Sequence, residues 1–144
     1  SRMYRQVERD QEVFKVPVTG GTPQRMMDAL AQMANVSNDG RYVAYVAGNC
    51  RFVREVYTGP ANRNIWVYDT QRGNYMALAA QNAQESHPVW GDNQQLFYLS
   101  AASGRYNIYR KNGVLTKDLA KLTIVGSVLL LRTWQWHLHA TYRW

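Results

Sequence analysis

The alternation of apolar and polar positions divides the chain into short strands separated by turn residues. "RYVAYVA" (41–47) and "QLFYLSA" (95–101) are largely apolar runs of strand length, the pattern of strands packed on both faces. "NIWVYD" (64–69) alternates instead, placing Ile65 and Val67 on one face and Trp66 and Tyr68 on the other. Turn chemistry bounds these runs. Asp39-Gly40 and Asp92-Asn93 tolerate positive φ and favour a tight reversal into the strand that follows. Thr70-Gln71-Arg72-Gly73 reads as a further reversal, with "NYMALAA" (74–80) as the next strand. Pro88 is expected to open the strand carrying Val89 and Trp90, because a proline inside a strand removes a ladder bond. "QRMMDALAQMA" (24–34) has helical propensity, but its position between strand signals predicts a strand followed by a loop.

The pattern also repeats. Asn64-Ile65-Trp66 returns as Asn107-Ile108-Tyr109, 43 residues on, whereas Asp39 returns as Asp92, 53 residues on. The first unit therefore carries ten extra residues, around "NCRFVREVYTGPA" (49–61). Upstream, "EVFKVPVTGGTP" (12–23) reads as the end of an earlier unit, so parts of three units are present.

"VSNDGRYVAY", "NIWVYDTQRG", "HPVWGDNQQLFYLS" and "GRYNIYRKN", preceded by "VFKVPVTGGTPQRM", resemble TolB-type β-propeller repeats over residues 12–112. "CRFVREVYTGPANRNIWVYD" (50–69) is more particular. It is similar to the propeller of bacterial tricorn-like proteins, in which blades precede a PDZ domain and a serine-peptidase domain. The resemblance implies an all-β fold of consecutive four-stranded antiparallel β-propeller blades, two to three units forming an incomplete propeller over residues 1–121. Closed propellers use roughly four to eight blades, and a blade takes about 40–45 residues. Ser37-Asn38-Asp39-Gly40 stands where the family has Ser-Pro-Asp-Gly, and Gly91-Asp92-Asn93 replaces that turn in the second copy. After Leu122 the resemblance stops, so residues 122–144 are set apart as an atypical C-terminal tail, read as a strand with one aromatic face. No PDZ or peptidase motif occurs, and the family's catalytic residues have no counterpart here.

Composition narrows the classes further. At 144 residues and 46% hydrophobic, the chain has the makings of one globular domain. The formal net charge of +7 comes from thirteen Arg and four Lys, scattered from Arg2 to Arg143 without a dense run. That distribution reads as solvated strand and loop positions and does not favour nucleic acid as a partner. The single cysteine, Cys50, excludes an internal disulfide and a cysteine-based zinc cluster. "SRMYRQVERD" at the start lacks the apolar core of a signal peptide, and the apolar run 122–131 is too short to span a bilayer.

Candidate chemistry is sparse. Ser86 and His87 adjoin, but neighbours on a strand are expected to point apart, and no G-x-S-x-G elbow is present. His137 and His139 would share a strand face and could hold a metal together. No further ligand stands at a fitting spacing, and the alternation of the tail fits two exposed polar residues instead. The ten-residue insertion carries Arg51, Arg54, Glu55 and Tyr57 at a loop position, which in propellers lies on a rim or the central channel. Arg51 or Arg54 could hold a carboxylate, such as a peptide terminus, with Tyr57 as a third candidate contact. The plainer reading is a solvated loop with an internal Arg–Glu pair. No nucleotide motif is present and no cofactor is implied.

By resemblance the expected function is a non-catalytic propeller fragment of a tricorn-like extracytoplasmic peptidase, acting as scaffold or as a gate for peptide substrates. The alternatives are a TolB-like protein-interaction module of the bacterial envelope, a basic nucleic-acid-binding domain and, last, a small hydrolase. A protein or peptide partner is expected, together with self-association through exposed blade edges. A periplasmic or otherwise extracytoplasmic location follows from the resemblance alone.

Overall fold

In the computed structural model, residues 11–78, 83–113 and 123–126 are described. They form ten strands and one turn of 3-10 helix, Asp92–Gln94. The strands are β1 (Glu12–Lys15), β2 (Gln24–Leu30), β3 (Gln32–Val36), β4 (Tyr42–Ala47), β5 (Asn64–Asp69), β6 (Asn74–Ala77), β7 (Glu85–Trp90), β8 (Gln95–Ser100), β9 (Asn107–Asn112) and β10 (Thr123–Gly126). β1 and β2 form an antiparallel hairpin, and two antiparallel four-stranded sheets follow, β3-β4-β5-β6 and β7-β8-β9-β10. Each four-stranded sheet is a meander in chain order, as propeller blades are. β10, within the stretch set apart as a tail, pairs with β9 as the outer strand of the third sheet.

Alternation in the sequence becomes burial in the sheets. Along β5, Ile65, Val67 and Asp69 are fully buried, while Trp66 and Tyr68 are half-buried on the opposite face. Tyr42, Ala44, Val46, Ile65 and Val67 of the second sheet pack against Trp90, Leu96, Tyr98 and Tyr109 of the third. The other face of the second sheet, with Val43 and Tyr45, packs on Met27 and Ala31 of the first. Each aliphatic side chain buried this way contributes about 1.5–3 kcal/mol. Trp90 also bridges sheets by hydrogen bonds, donating from its backbone N to Asn35 Oδ1 (3.0 Å) and from Nε1 to Asn35 O (3.1 Å).

The turn before β4 is fastened by side chains. Ser37 Oγ donates to Asp39 Oδ1 and accepts from the Tyr42 backbone N (2.8 Å), while Gly40 takes the left-handed conformation at φ 71°. Arg41 then reaches Asp69 at 3.1 Å. Asp69 is buried, which by itself would raise its pKa. The bonds it accepts from Arg41 and from the backbone of Gln71 and Arg72 outweigh that and hold the carboxyl below its usual range.

Three local expectations are corrected. Residues 24–34 are not a strand and a loop but the whole of β2, a single linking residue, Ala31, and the first three residues of β3. The segment straddles two sheets, and the Ala31 N–H is satisfied by Gln11 O at 2.8 Å, so no loop is needed. Pro88 does not open its strand. It lies inside β7, where the pairing register shifts between Ser86 and Val89, and this bulge removes the ladder bond that a proline would break. In the turn before β8 the positive φ falls on Gln94 (59°) rather than on the Asp92-Asn93 pair, because a 3-10 turn occupies Asp92–Gln94.

Candidate functional site

The ten extra residues lie between β4 and β5. That connection runs over sixteen residues (48–63), against six (101–106) between β8 and β9. Its two ends meet. Cys50 N donates to Ala61 O (2.9 Å), and Gly48, at φ 103°, lies so close to Asn62 that a Cβ there would stand 1.9 Å from the Asn62 carbonyl oxygen. Inside the loop successive turns are closed by Arg54 N to Arg51 O (3.0 Å), Tyr57 N to Arg54 O (3.2 Å) and Asn62 N to Gly59 O (3.0 Å). A compact loop with adjoining ends and internal bonds is an Ω-loop.

The loop is rooted in one sheet but rests on the next. Phe52 stacks on Tyr106, with centroids 4.4 Å apart and planes 6° from parallel, and meets His87 edge-on at 5.6 Å. Tyr106 Oη donates to Phe52 O (2.9 Å). Gln84, fully buried, donates from Nε2 to Tyr57 O (3.2 Å) and Asn62 Oδ1 (2.9 Å).

The β7 bulge places His87 for this contact, holding it at φ 52°. Met33 has the same φ at the bulge of β3, so the irregularity belongs to the repeat. The bulge also overturns the expectation that Ser86 and His87 point apart, since Ser86 Oγ and His87 Nδ1 lie 3.1 Å from each other. Ser86 has no exposed surface, so a substrate carbonyl has no approach to its hydroxyl. Burial, with the Arg63 guanidinium as the second cause, lowers the His87 pKa and keeps the ring neutral.

The predicted binding residues divide. Arg51 and Arg54 are exposed on the loop, and neither makes an ion pair among the described residues, so the Arg–Glu pair expected with Glu55 does not form there. Tyr57 is half-buried and folds back over Gly59, so it stabilises the loop from within. Val53 and Val56, not singled out in the sequence, are each 81% exposed beside the two arginines. His137 and His139 lie outside the described residues. Among the described residues no group of three or more His, Cys, Asp or Glu could hold a metal ion, and no helix is long and apolar enough to cross a membrane.

Beneath the loop lies a buried carboxyl that the sequence did not signal. Glu85 donates from its backbone N to Arg63 O (2.9 Å) and accepts at Oε2 from Ile65 N (3.0 Å), while its Oε1 and the nearby Tyr98 hydroxyl have no hydrogen-bond partner among the described residues. Burial pushes the Glu85 carboxyl up to about 8, against the smaller opposing effects of the Ile65 bond and Lys111. It is therefore mostly protonated at neutral pH. Lys111 donates from Nζ to Leu78 O at 2.6 Å and is itself lowered by burial, with Glu85 pulling the other way.

No protein-family profile matches the chain, and no curated protein sequence does. The solved structures that match include two described as TolB. A TolB from Agrobacterium tumefaciens is 19% identical with a TM-score of 0.63, over 81% of this chain and 38% of that one. TolB from Acinetobacter baumannii is 16% identical with a TM-score of 0.47, over 74% of this chain and 23% of that one. The first likeness identifies the meandering sheets as blades of a TolB-like β-propeller, of which the described residues form an incomplete part: two four-stranded blades and a hairpin of a third. The chain spans less than half the length of the structure it matches.

Proposed function

We propose that this chain is a non-catalytic protein-binding module whose contact element is the Ω-loop at 48–63. The observation that carries the reading is the loop itself. A repeat that elsewhere needs six connecting residues here spends sixteen, braces them on the neighbouring blade, and presents Arg51, Val53, Arg54 and Val56 to solvent. Ordered loops of this length with no regular structure commonly bind something. Two arginines beside two aliphatic side chains suit a partner segment that is acidic and partly apolar.

The finer reading keeps this module as a scaffold or peptide gate of a tricorn-like extracytoplasmic peptidase. It is supported by the resemblance of residues 50–69, and a periplasmic or other extracytoplasmic location rests on the same resemblance. A PDZ domain and a serine-peptidase domain encoded downstream in the same gene would support it, and a propeller that closes and ends would favour an envelope interaction module.

Binding is tested by titrating the chain with a capped peptide of alternating Glu and Leu, followed by fluorescence anisotropy. Saturable binding that weakens at least about tenfold in Arg51→Glu/Arg54→Glu is the expected result. Equal binding by the variant would overturn the assignment to the loop. Salt-sensitive retention on duplex DNA, with no peptide binding, would favour the nucleic-acid reading.

A further inference from the structure

At the neck of the loop the first two sheets leave a cleft of about 210 Å³. Its walls come from the β2–β3 junction, the end of β4 and both ends of the loop. The lining residues are all uncharged: Gln11, Gln32 and Asn49 stand beside Leu30, Pro60 and Ala61. Sites for drug-sized ligands and cofactors measure roughly 300–1,000 Å³, so this volume suits a single side chain with its adjoining main chain.

Carboxamides both donate and accept, as a peptide's N–H and C=O groups require, and they do so without charge. An ionised ligand would find no counter-charge among the lining residues and would lose hydration on entering. An aliphatic side chain loses only ordered water and gains the apolar lining.

We propose that this cleft takes one aliphatic side chain of an extended peptide, with the flanking peptide groups hydrogen-bonded to Gln11, Gln32 and Asn49. The inference rests on the protein-binding reading and adds to it an uncharged subsite separate from Arg51 and Arg54. A partner would then be held at two places, by charge at the loop tip and by one buried aliphatic residue at its neck.

The test uses peptides that cannot engage the arginines. Acetyl-Gly-Leu-Gly-amide and acetyl-Gly-Gly-Gly-amide are titrated into ¹⁵N-labelled protein and followed by NMR. The leucine peptide is expected to shift the amide signals of Ala31, Gly48 and Ala61 and to bind at least about tenfold more tightly than the glycine peptide, the effect of burying one aliphatic side chain. Pro60→Trp, at an exposed position on the cleft wall, is expected to abolish those shifts, and Gln32→Ala to weaken binding several-fold should the tryptophan variant fail to fold. Equal binding of the two peptides, shifts confined to other residues, or binding unaffected by both substitutions would overturn the proposal. The acidic-peptide titration separates the two readings. Acidic binding lost in Arg51→Glu/Arg54→Glu with no leucine preference refutes the cleft alone, while a leucine preference without acidic binding refutes the loop-tip contact alone.

Discussion

Phe52 lies flat on Tyr106, 54 residues further along, so the loop that grows out of the second sheet is carried by the third. The pairing joins two blades through a side chain of the inserted loop, beside the bonds of Gln84 to Tyr57 and Asn62. It also gives an exposed loop a defined shape, because the Phe52 carbonyl and ring are held by the same partner.

Removing that partner should loosen the loop more than the sheets. Phe52→Ala is expected to cost about 1–2 kcal/mol, the stacking term plus the apolar surface that Phe52 now covers. Trypsin should then cut faster after Arg51 and Arg54, with the strand content unchanged by circular dichroism. Unchanged cleavage rates would show that the stack does not order the loop.

Gly48 closes the neck. Gly48→Ala would bring a methyl group onto the Asn62 carbonyl at a backbone angle that L side chains rarely adopt. The expected cost is about 2–4 kcal/mol, the sum of backbone strain and a forced opening. Denaturant unfolding measures it, and a loss below about 0.5 kcal/mol would mean that the neck is not as close as described.

Glu85 makes stability fall as pH rises. Its folded-state pKa, about 8, lies above the ordinary 4.5, so between those values the folded chain holds a proton that the unfolded chain has lost. The contribution is fully present below about pH 4.5 and disappears as pH passes 8, with a slope of about 1.4 kcal/mol per pH unit for one group. Glu85→Gln should flatten the profile between pH 5 and 8 and raise the melting temperature at the alkaline end. A wild-type profile that rises over that interval would contradict the burial of this carboxyl. Lys111, lowered by its own burial, works in the opposite direction: between its folded value and the ordinary 10.5 the unfolded chain holds the extra proton, so stability rises with pH over that more alkaline range, an effect that Lys111→Met removes.

Phe14 and Leu30, each 51% exposed on the first hairpin, with Val36 at 47%, leave apolar surface open beside strand edges. Self-association is the proposed consequence. Sedimentation should show a mass that grows with concentration, reduced by Phe14→Lys. A single monomeric species up to high concentration would count against it.

Much of this architecture could be read from residue order. The apolar run of β4 and the alternation of β5 mark strands because each side chain's burial follows directly from a period of two. The unequal offsets of 43 and 53 residues place the insertion from the sequence alone. The exposed loop position of Arg51 and Arg54 was legible for a plain reason: a charged side chain on a loop that departs from its repeat needs no tertiary partner to be noticed. The bulges at Met33 and His87 were not legible, because neither residue type advertises a positive φ. Nor was the Phe52–Tyr106 contact, which depends on how two sheets are placed and leaves no local pattern. Glu85 was hidden for the opposite reason. Its residue type predicts exposure, and only its seat between Arg63, Ile65 and Tyr98 buries it.

Ala31 is all the chain that passes from β2 to β3, and its own N–H is already committed to Gln11. A tether of one residue has no slack. The second blade cannot slide past the first, and relative motion between them must be a rotation taken up in the dihedral angles of Ala31 and its immediate neighbours. A partner seated against that joint would act on the angle between blades and not on their spacing.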